Sequence, residues 1–438
     1  MIRRSPLGPT LVALGVIYAG LVLNIPAEGF FQPQEGILWL QTESLVRSFW
    51  TSAAIRPPGA ALDPEGRFLP PGLAVIKGEV RAQRASIQPL LSSVPYVVLG
   101  TPGLYLLPAL AALVALAAAW RLAFLAIPAH AALAGMAAIL LSPIVLFGAT
   151  TMPYTLAGAL VLAALIPLRK SVLMSAPGDP WRLSVSAGML IGLAAAVRLE
   201  MAFIGFLTIS IGLAVWRWRR AARQAAGLMA GALAVLLPRA LYHRLASGVW
   251  FDELRAPRGL DWVALAVPAI PVLVIAAIWW SAQRWQAPPR RLAGALWGLV
   301  LVGALAQGLA LRHVATQRRL HAQMVSRVRA AAGEQGVVLS DAADASRLLM
   351  PVASAAPALY VRPNMLSALS DRIRDAAVTP FWITRKLQKS DRLERPSALM
   401  VRAALRRDAA VDLGDGFVLL RYDFEGGVRG FARMPMGD

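Results

Sequence analysis

Apolar residues along this chain come in long unbroken runs rather than in stripes, and polar residues gather between the runs. Nine runs, at about 8–26, 103–120, 130–148, 152–168, 184–197, 201–216, 224–242, 262–281 and 293–311, read as bilayer crossings. The fifth and sixth are short for a hydrocarbon core about 30 Å thick, which predicts tilt or a break between them. Met1-Ile-Arg3-Arg4 leads into the first run with no small-residue cleavage site behind it, so that run is expected to remain as a span. Arg3/Arg4, Arg121, Arg169/Lys170, Arg217/Arg219/Arg220/Arg223 and Arg284/Arg290/Arg291 fall on one side if the amino terminus is cytoplasmic. The odd count then places the carboxy-terminal tail outside. Segment 88–99 is apolar but short and interrupted by proline, either re-entrant or the kinked start of the second span.

Two stretches break the pattern. The loop at about 27–88 shows helical spacing of Ile37, Leu38, Leu45, Val46 and Phe49, which predicts an amphipathic interfacial helix over 35–50. The Pro-rich remainder (Pro57-Pro58, Pro64, Pro70-Pro71) is expected to be irregular. In the tail, residues 336–340, 358–361, 381–384 and 417–422 read as strands, and 344–350 and 364–377 as helices. That alternation predicts a small α/β domain with a partly parallel sheet. The predicted fold class is therefore a polytopic α-helical membrane protein with about nine transmembrane helices and a small carboxy-terminal α/β extramembrane domain. Its parts are a membrane domain over 1–311, including the loop 27–88, and an external domain over 312–438.

Composition narrows the classes. The chain is 57% hydrophobic and 16% charged, with mean hydropathy +0.58, as expected of a membrane protein. It contains no cysteine, which excludes disulfides, thiolate ligands and a thiol nucleophile. The net charge of +20 raises the question of nucleic acid. The basic, aromatic cluster Trp216-Arg-Trp-Arg-Arg220 lies between two spans, however, and is better read as an interfacial anchor.

Acidic residues are the rarest signal. Only two occur between Glu79 and Asp252, and one, Glu200, lies in apolar sequence two positions after Arg198. An ionised group at bilayer depth costs roughly 2.5–3.5 kcal/mol on insertion scales, so such residues usually face a polar cavity and mark function. The alternative is a structural pair between two short helices. In a regular helix an i,i+2 pair does not face itself; a helix end there would let both side chains point the same way. Guanidinium suits bidentate phosphate binding. Gln32-Pro-Gln34-Glu35-Gly opens the loop helix, where Glu35 is either a simple cap or a base for an acceptor hydroxyl. Lys77, Arg81 and Arg84 are weaker phosphate candidates. His243 with Arg244 could bind a headgroup or could snorkel at a helix end. Ser340-Asp341 ends the first tail strand, a place for a ligand, and Asp341-Ala-Ala-Asp344 is equally an ordinary helix start. The four histidines form no metal-ligand spacing. Gly188-x-x-x-Gly192 and Gly227-x-x-x-Gly231 predict close helix packing. No Walker A, dinucleotide-glycine or HExxH pattern is present, so a nucleotide donor is not signalled.

The order of one span, an acidic-motif loop with an amphipathic helix, Gln88-Pro89-Leu, a helical bundle and an α/β tail resembles the GT-C superfamily of polyprenyl-phosphate-dependent glycosyltransferases. Gly103-Leu-Tyr-Leu-Leu-Pro108 and Arg198-x-Glu200 match motifs of bacterial members, which include protein O-mannosyltransferases and lipid A aminoarabinose transferases. Two departures stand out. Gln34 replaces the expected catalytic aspartate, and Thr150-Thr-Met-Pro-Tyr154 fills the second outer loop, where relatives often carry an acid. The resemblance implies a sugar transferase at the external face of the cytoplasmic membrane. Its partners would be a polyprenyl-phosphate lipid, membrane lipids and an acceptor glycan, lipid or protein, not nucleic acid. Glu35 and Glu200 would be catalytic, Arg198 and Gln34 substrate-binding. No cofactor is required by the pattern, though a divalent metal is conceivable in such loops. The alternatives are a non-catalytic lipid-binding or scaffold relative and a transporter, whose matched halves are not seen here.

Overall fold

A computed structural model describes residues 18, 20, 22, 30, 33–56, 59–69, 72–82, 87–173, 180–204, 207, 218–247, 262–285, 289–333, 336–340, 358–361, 366–376, 378–385, 405–414 and 417–424. The chain begins with α1 (Pro33–Arg47), β1 (Leu73–Ile76), β2 (Glu79–Ala82), α2 (Gln88–Leu99), α3 (Gly103–Ala126), α4 (Ala131–Leu140) and α5 (Ile144–Gly148). It continues through α6 (Tyr154–Leu173), α7 (Pro180–Val197), α8 (Trp218–Ser247), α9 (Trp262–Trp285) and α10 (Pro289–Ala332). The tail holds β3 (Gly336–Ser340), β4 (Ala358–Tyr360), α11 (Leu366–Asp375), β5 (Thr379–Arg385), β6 (Leu405–Gly414) and β7 (Phe417–Phe424). These elements form two compact units, Met1–Ile25 with Gln83–Val314 and Pro26–Ala82 with Ala315–Asp438.

The first unit is helical. Among the described residues six helices, α3 and α6 to α10, are long and apolar enough to cross a membrane, and the chain is a multi-pass membrane protein. The predicted run at 130–148 is divided between α4 and α5 around Ser142-Pro143, because proline removes a backbone donor and clashes with the preceding turn. The predicted spans at 8–26 and 201–216 lie largely outside the described residues. Of the first, residues 18, 20 and 22 are helical, and the Tyr18 hydroxyl donates to the Val145 carbonyl at 2.8 Å. Segment 88–99 is a helix of its own, α2, joined to α3 by a turn in which Gly100 has φ +66°. The glycine pairs do the work their spacing predicts. A Cβ on Gly188 would run into the Leu228 carbonyl, and one on Gly231 into the Val185 carbonyl. Small residues thus let α7 and α8 approach to backbone contact, the main attraction available between helices in lipid. At one end of this bundle Arg169 Nη2 donates to the Leu125 carbonyl at 2.8 Å, and the Gln224 amide to the Ser171 carbonyl at 3.0 Å.

The second unit is built on a five-stranded sheet of order β4-β3-β5-β7-β6. β3 pairs in parallel with β4 and β5, while β7 pairs antiparallel with β5 and β6. Alternation along the strands buries both faces. Val337, Leu339, Trp382, Val418 and Leu420 pack with Leu369 and Ile373 of α11, and also with Leu62 and Phe68 of the loop. Val338, Phe381, Ile383 and Leu419 pack with Met324, Val325 and Val328 of α10. Residues 26–82, which the sequence reading grouped with the spans, therefore fold with the tail: Leu62 and Phe68 belong to the core of its sheet. Asp63 fixes that loop by accepting the Arg67 and Phe68 backbone N–H groups, both at 2.8 Å.

Three elements of this unit differ from the sequence reading. Strand β6 is read poorly because Arg406, Arg407 and Asp408 interrupt it; it is an edge strand, where charge is tolerated. The Pro-rich loop contains the hairpin β1–β2, turned by Lys77 (φ +51°) and Gly78 (φ +79°), as a two-residue hairpin turn requires. Helix α1 stops at Arg47, so Phe49 does not continue its apolar face; it has φ +50° and is 81% exposed.

Candidate functional site

The chemistry predicted from sequence falls into two clusters, one in each unit. In the helical unit α7 ends at Val197, residues 199–200 form a turn, and helix resumes at Met201. The Arg198 N–H still donates to Ala194 O at 2.8 Å, and Arg198 O accepts from Met201 N at 3.0 Å. This break lets an i,i+2 pair meet, and Arg198 Nη2 lies 3.0 Å from Glu200 Oε1. Arg198 is 7% exposed. A cation placed after the last turn of a helix is favoured by the macrodipole. From α8, Arg239 Nη1 donates to the neighbouring Ala195 carbonyl at 3.2 Å.

The face of the Arg198 guanidinium is covered as well as its edge. Its central carbon lies 4.7 Å from the ring centroid of Tyr154, the first residue of α6. Phe147 supports that ring at 4.7 Å and an interplanar angle of 51°. The turn leading into α6 is tied down twice. The Gln88 side-chain amide donates to the Thr151 carbonyl, and the Thr150 hydroxyl to the Phe147 carbonyl at 2.9 Å. Tyr154, Gln88 and Arg239 are therefore parts of this site that sequence reasoning passed over. The placement of Thr150–Tyr154 in an outer loop and the Gln88-Pro89-Leu motif were the hints.

In the second unit Glu35 sits in the first turn of α1 and is fully buried. Its Oε1 lies 3.4 Å from Nη2 of Arg318, also fully buried, on α10. One turn further along α10, His321 Nδ1 bonds the Phe30 carbonyl; to bond a carbonyl that nitrogen must carry its proton. The segment leading into α1 is thus held by α10 at two points. The sequence did carry a signal for this. Arg318 and His321 share one 3–4 spaced stripe with Val325, Val328 and Ala332, so two polar groups stand on a buried helix face.

The remaining candidates lie elsewhere. Gln34 is exposed beside Glu35. Lys77 is exposed in the β1–β2 turn, and Arg81 pairs with Glu79 at 2.7 Å in the same hairpin. Arg84, Asp341, Asp344 and the His243 side chain are outside the described residues. Among the described residues no group of three His, Cys, Asp or Glu side chains is placed to hold a metal ion. Divalent cations usually take several oxygen ligands, and Glu35 faces a guanidinium, so these residues do not fit a resident metal.

No protein-family model and no curated protein sequence matches the chain. Solved structures do. ArnT from Cupriavidus metallidurans bound to undecaprenyl phosphate aligns with a TM-score of 0.54 at 12% identity, covering 95% of this chain and 98% of that one. The same protein in the apo state gives a TM-score of 0.55 at 12% identity, covering 94% and 97%. An oligosaccharyltransferase from Archaeoglobus fulgidus aligns at 12% identity with a TM-score of 0.39, covering 63% of this chain and 33% of that one. At 12% identity over nearly the whole of both chains the likeness is one of fold: this chain has the fold of ArnT.

Proposed function

We propose that the protein is an integral-membrane glycosyltransferase that moves a sugar from a polyprenyl-phosphate donor to an acceptor at the external face of the membrane. The observation that carries this is the Arg198 constellation: a largely buried guanidinium, held on its edge by Glu200 and on its face by Tyr154, in a chain with the fold of a protein solved with undecaprenyl phosphate. A guanidinium so held is preorganised for phosphate oxygens, and it would stabilise charge where it develops. In the reaction the acceptor oxygen bonds to the anomeric carbon. The bond from that carbon to phosphate oxygen breaks with its electron pair staying on the phosphate, and the hydroxyl proton passes to a base. Products are the glycosylated acceptor and polyprenyl phosphate. Glu200 acts in this reading by holding Arg198. Glu35 is the acid that the resemblance offers as base.

One observation favours a second reading. A carboxylate that is fully buried against a fully buried arginine is built like a structural clamp, and Gln34 replaces the aspartate expected beside it. A lipid-binding or scaffold protein with the same fold would need only the clamp. Transfer assayed with membranes supplying lipid-linked sugar separates the two. Arg198→Ala should abolish transfer and Arg198→Lys should keep part of it. Glu35→Gln should lower turnover at least a hundredfold if Glu35 is the base. Wild-type protein that shows no transfer with any supplied polyprenyl-phosphate sugar, yet retains the lipid, would leave the scaffold reading standing.

A further inference from the structure

We infer that Tyr154 is a positioning residue for the lipid phosphate. Its ring is the platform on which Arg198 is aimed. This rests on the reading of Arg198 as the phosphate ligand.

Four observations lead there. The Arg198 guanidinium carbon stands 4.7 Å above the Tyr154 ring centroid, within the range where a cation is attracted by the negative face of an aromatic ring. The ring itself is immobilised: Tyr154 is buried, and Phe147 tilts against it at 4.7 Å. The backbone under it is fixed from another helix, because the Gln88 amide of α2 holds the Thr151 carbonyl three residues earlier. Finally, the helix break at residues 198–200 leaves Arg198 at the end of α7 with no continuing helical turn after it, so contacts from neighbouring side chains help to set its orientation. Glu200 holds one edge of the guanidinium at 3.0 Å, and the ring covers its face. Edge and face together define the plane, and a planar fork is what bidentate phosphate recognition uses.

An aromatic platform differs chemically from a carboxylate in the same place. A second carboxylate beside Glu200 would give the cluster a net negative charge and repel an incoming phosphate. A ring holds the cation without adding that charge.

The test titrates undecaprenyl phosphate against the full-length protein in nanodiscs, for wild type, Tyr154→Leu, Tyr154→Phe, Arg198→Ala and the Tyr154→Leu/Arg198→Ala double variant. Tyr154→Leu should weaken binding about threefold to thirtyfold, and Tyr154→Phe, which restores the ring, should recover most of that loss. In the Arg198→Ala background the leucine substitution should have no further effect. Binding unchanged in Tyr154→Leu, or an equal loss with and without Arg198, overturns the inference. Binding unchanged in Arg198→Ala overturns the underlying phosphate assignment and this inference with it, and that result is distinct from the other two. Should Tyr154→Leu not fold, Tyr154→Met fills the same space without a ring and carries the same expectations.

Discussion

Removing the Arg318 guanidinium while leaving Glu35 in place takes an ion-pair partner from a carboxylate buried inside the second unit. Both groups are fully buried, with 3.4 Å between Arg318 Nη2 and Glu35 Oε1. At that separation and an effective dielectric near 20, their attraction is about 5 kcal/mol. Breaking one partner of a buried pair costs about 3–5 kcal/mol, mostly because the surviving charge is uncompensated. Arg318→Met keeps the length and apolar bulk of the stem, so the loss is electrostatic rather than a cavity. Hydrogen–deuterium exchange on the full-length protein reads the cost locally. Peptides over α1 and residues 315–332 should exchange about a hundredfold to several thousandfold faster, as expected when the free energy of local opening falls by that much. The double variant Glu35→Gln/Arg318→Met removes both charges and should recover most of the protection, because the pair itself is nearly neutral once desolvation is counted. Unchanged exchange in Arg318→Met, or a double variant less protected than that single variant, would refute the claim that Glu35 depends on Arg318.

Two further predictions address the scaffold. Gly231→Leu drives a side chain into the Val185 carbonyl. It should separate α7 from α8, at a cost of at least about 1–3 kcal/mol, seen as lost monodisperse yield in detergent. Gly294→Leu, where nothing lies within 4 Å of the added Cβ, should express normally. Gly78→Val forces a β-branched residue to φ +79°. That should cost about 1–3 kcal/mol and raise exchange of β1 and β2 amides without altering peptides from the spans.

The six spans α3 and α6 to α10 were readable because each is a long apolar run, and α7–α8 packing because two glycines stand four apart on each helix. The tail strands β3, β4, β5 and β7 were readable from short β-branched and aromatic runs. Strand β6 was not, since its charges suit an edge but hide its period. The helix break at Arg198 was legible as a conflict, charge in an apolar run, and the structure resolves it by ending α7 there. Glu35 was legible as a lone acid at a helix start. Its partner was not, because Arg318 lies 283 residues away and no local pattern links the two. Tyr154 was hidden for the same reason: a cation–aromatic contact between α6 and the end of α7 is a tertiary fact. The loop 26–82 was placed with the spans because it is flanked by them in sequence, whereas Leu62 and Phe68 are buried in the tail's sheet.

The central claim is that Arg198 takes the phosphate of a polyprenyl lipid. Native mass spectrometry of the protein released gently from its own membrane tests it most directly, comparing wild type with Arg198→Ala. Wild type should carry a co-purifying polyprenyl-phosphate mass, with or without a sugar, that is lost from the variant. An equal amount of that lipid on both proteins, or none on either, would contradict it.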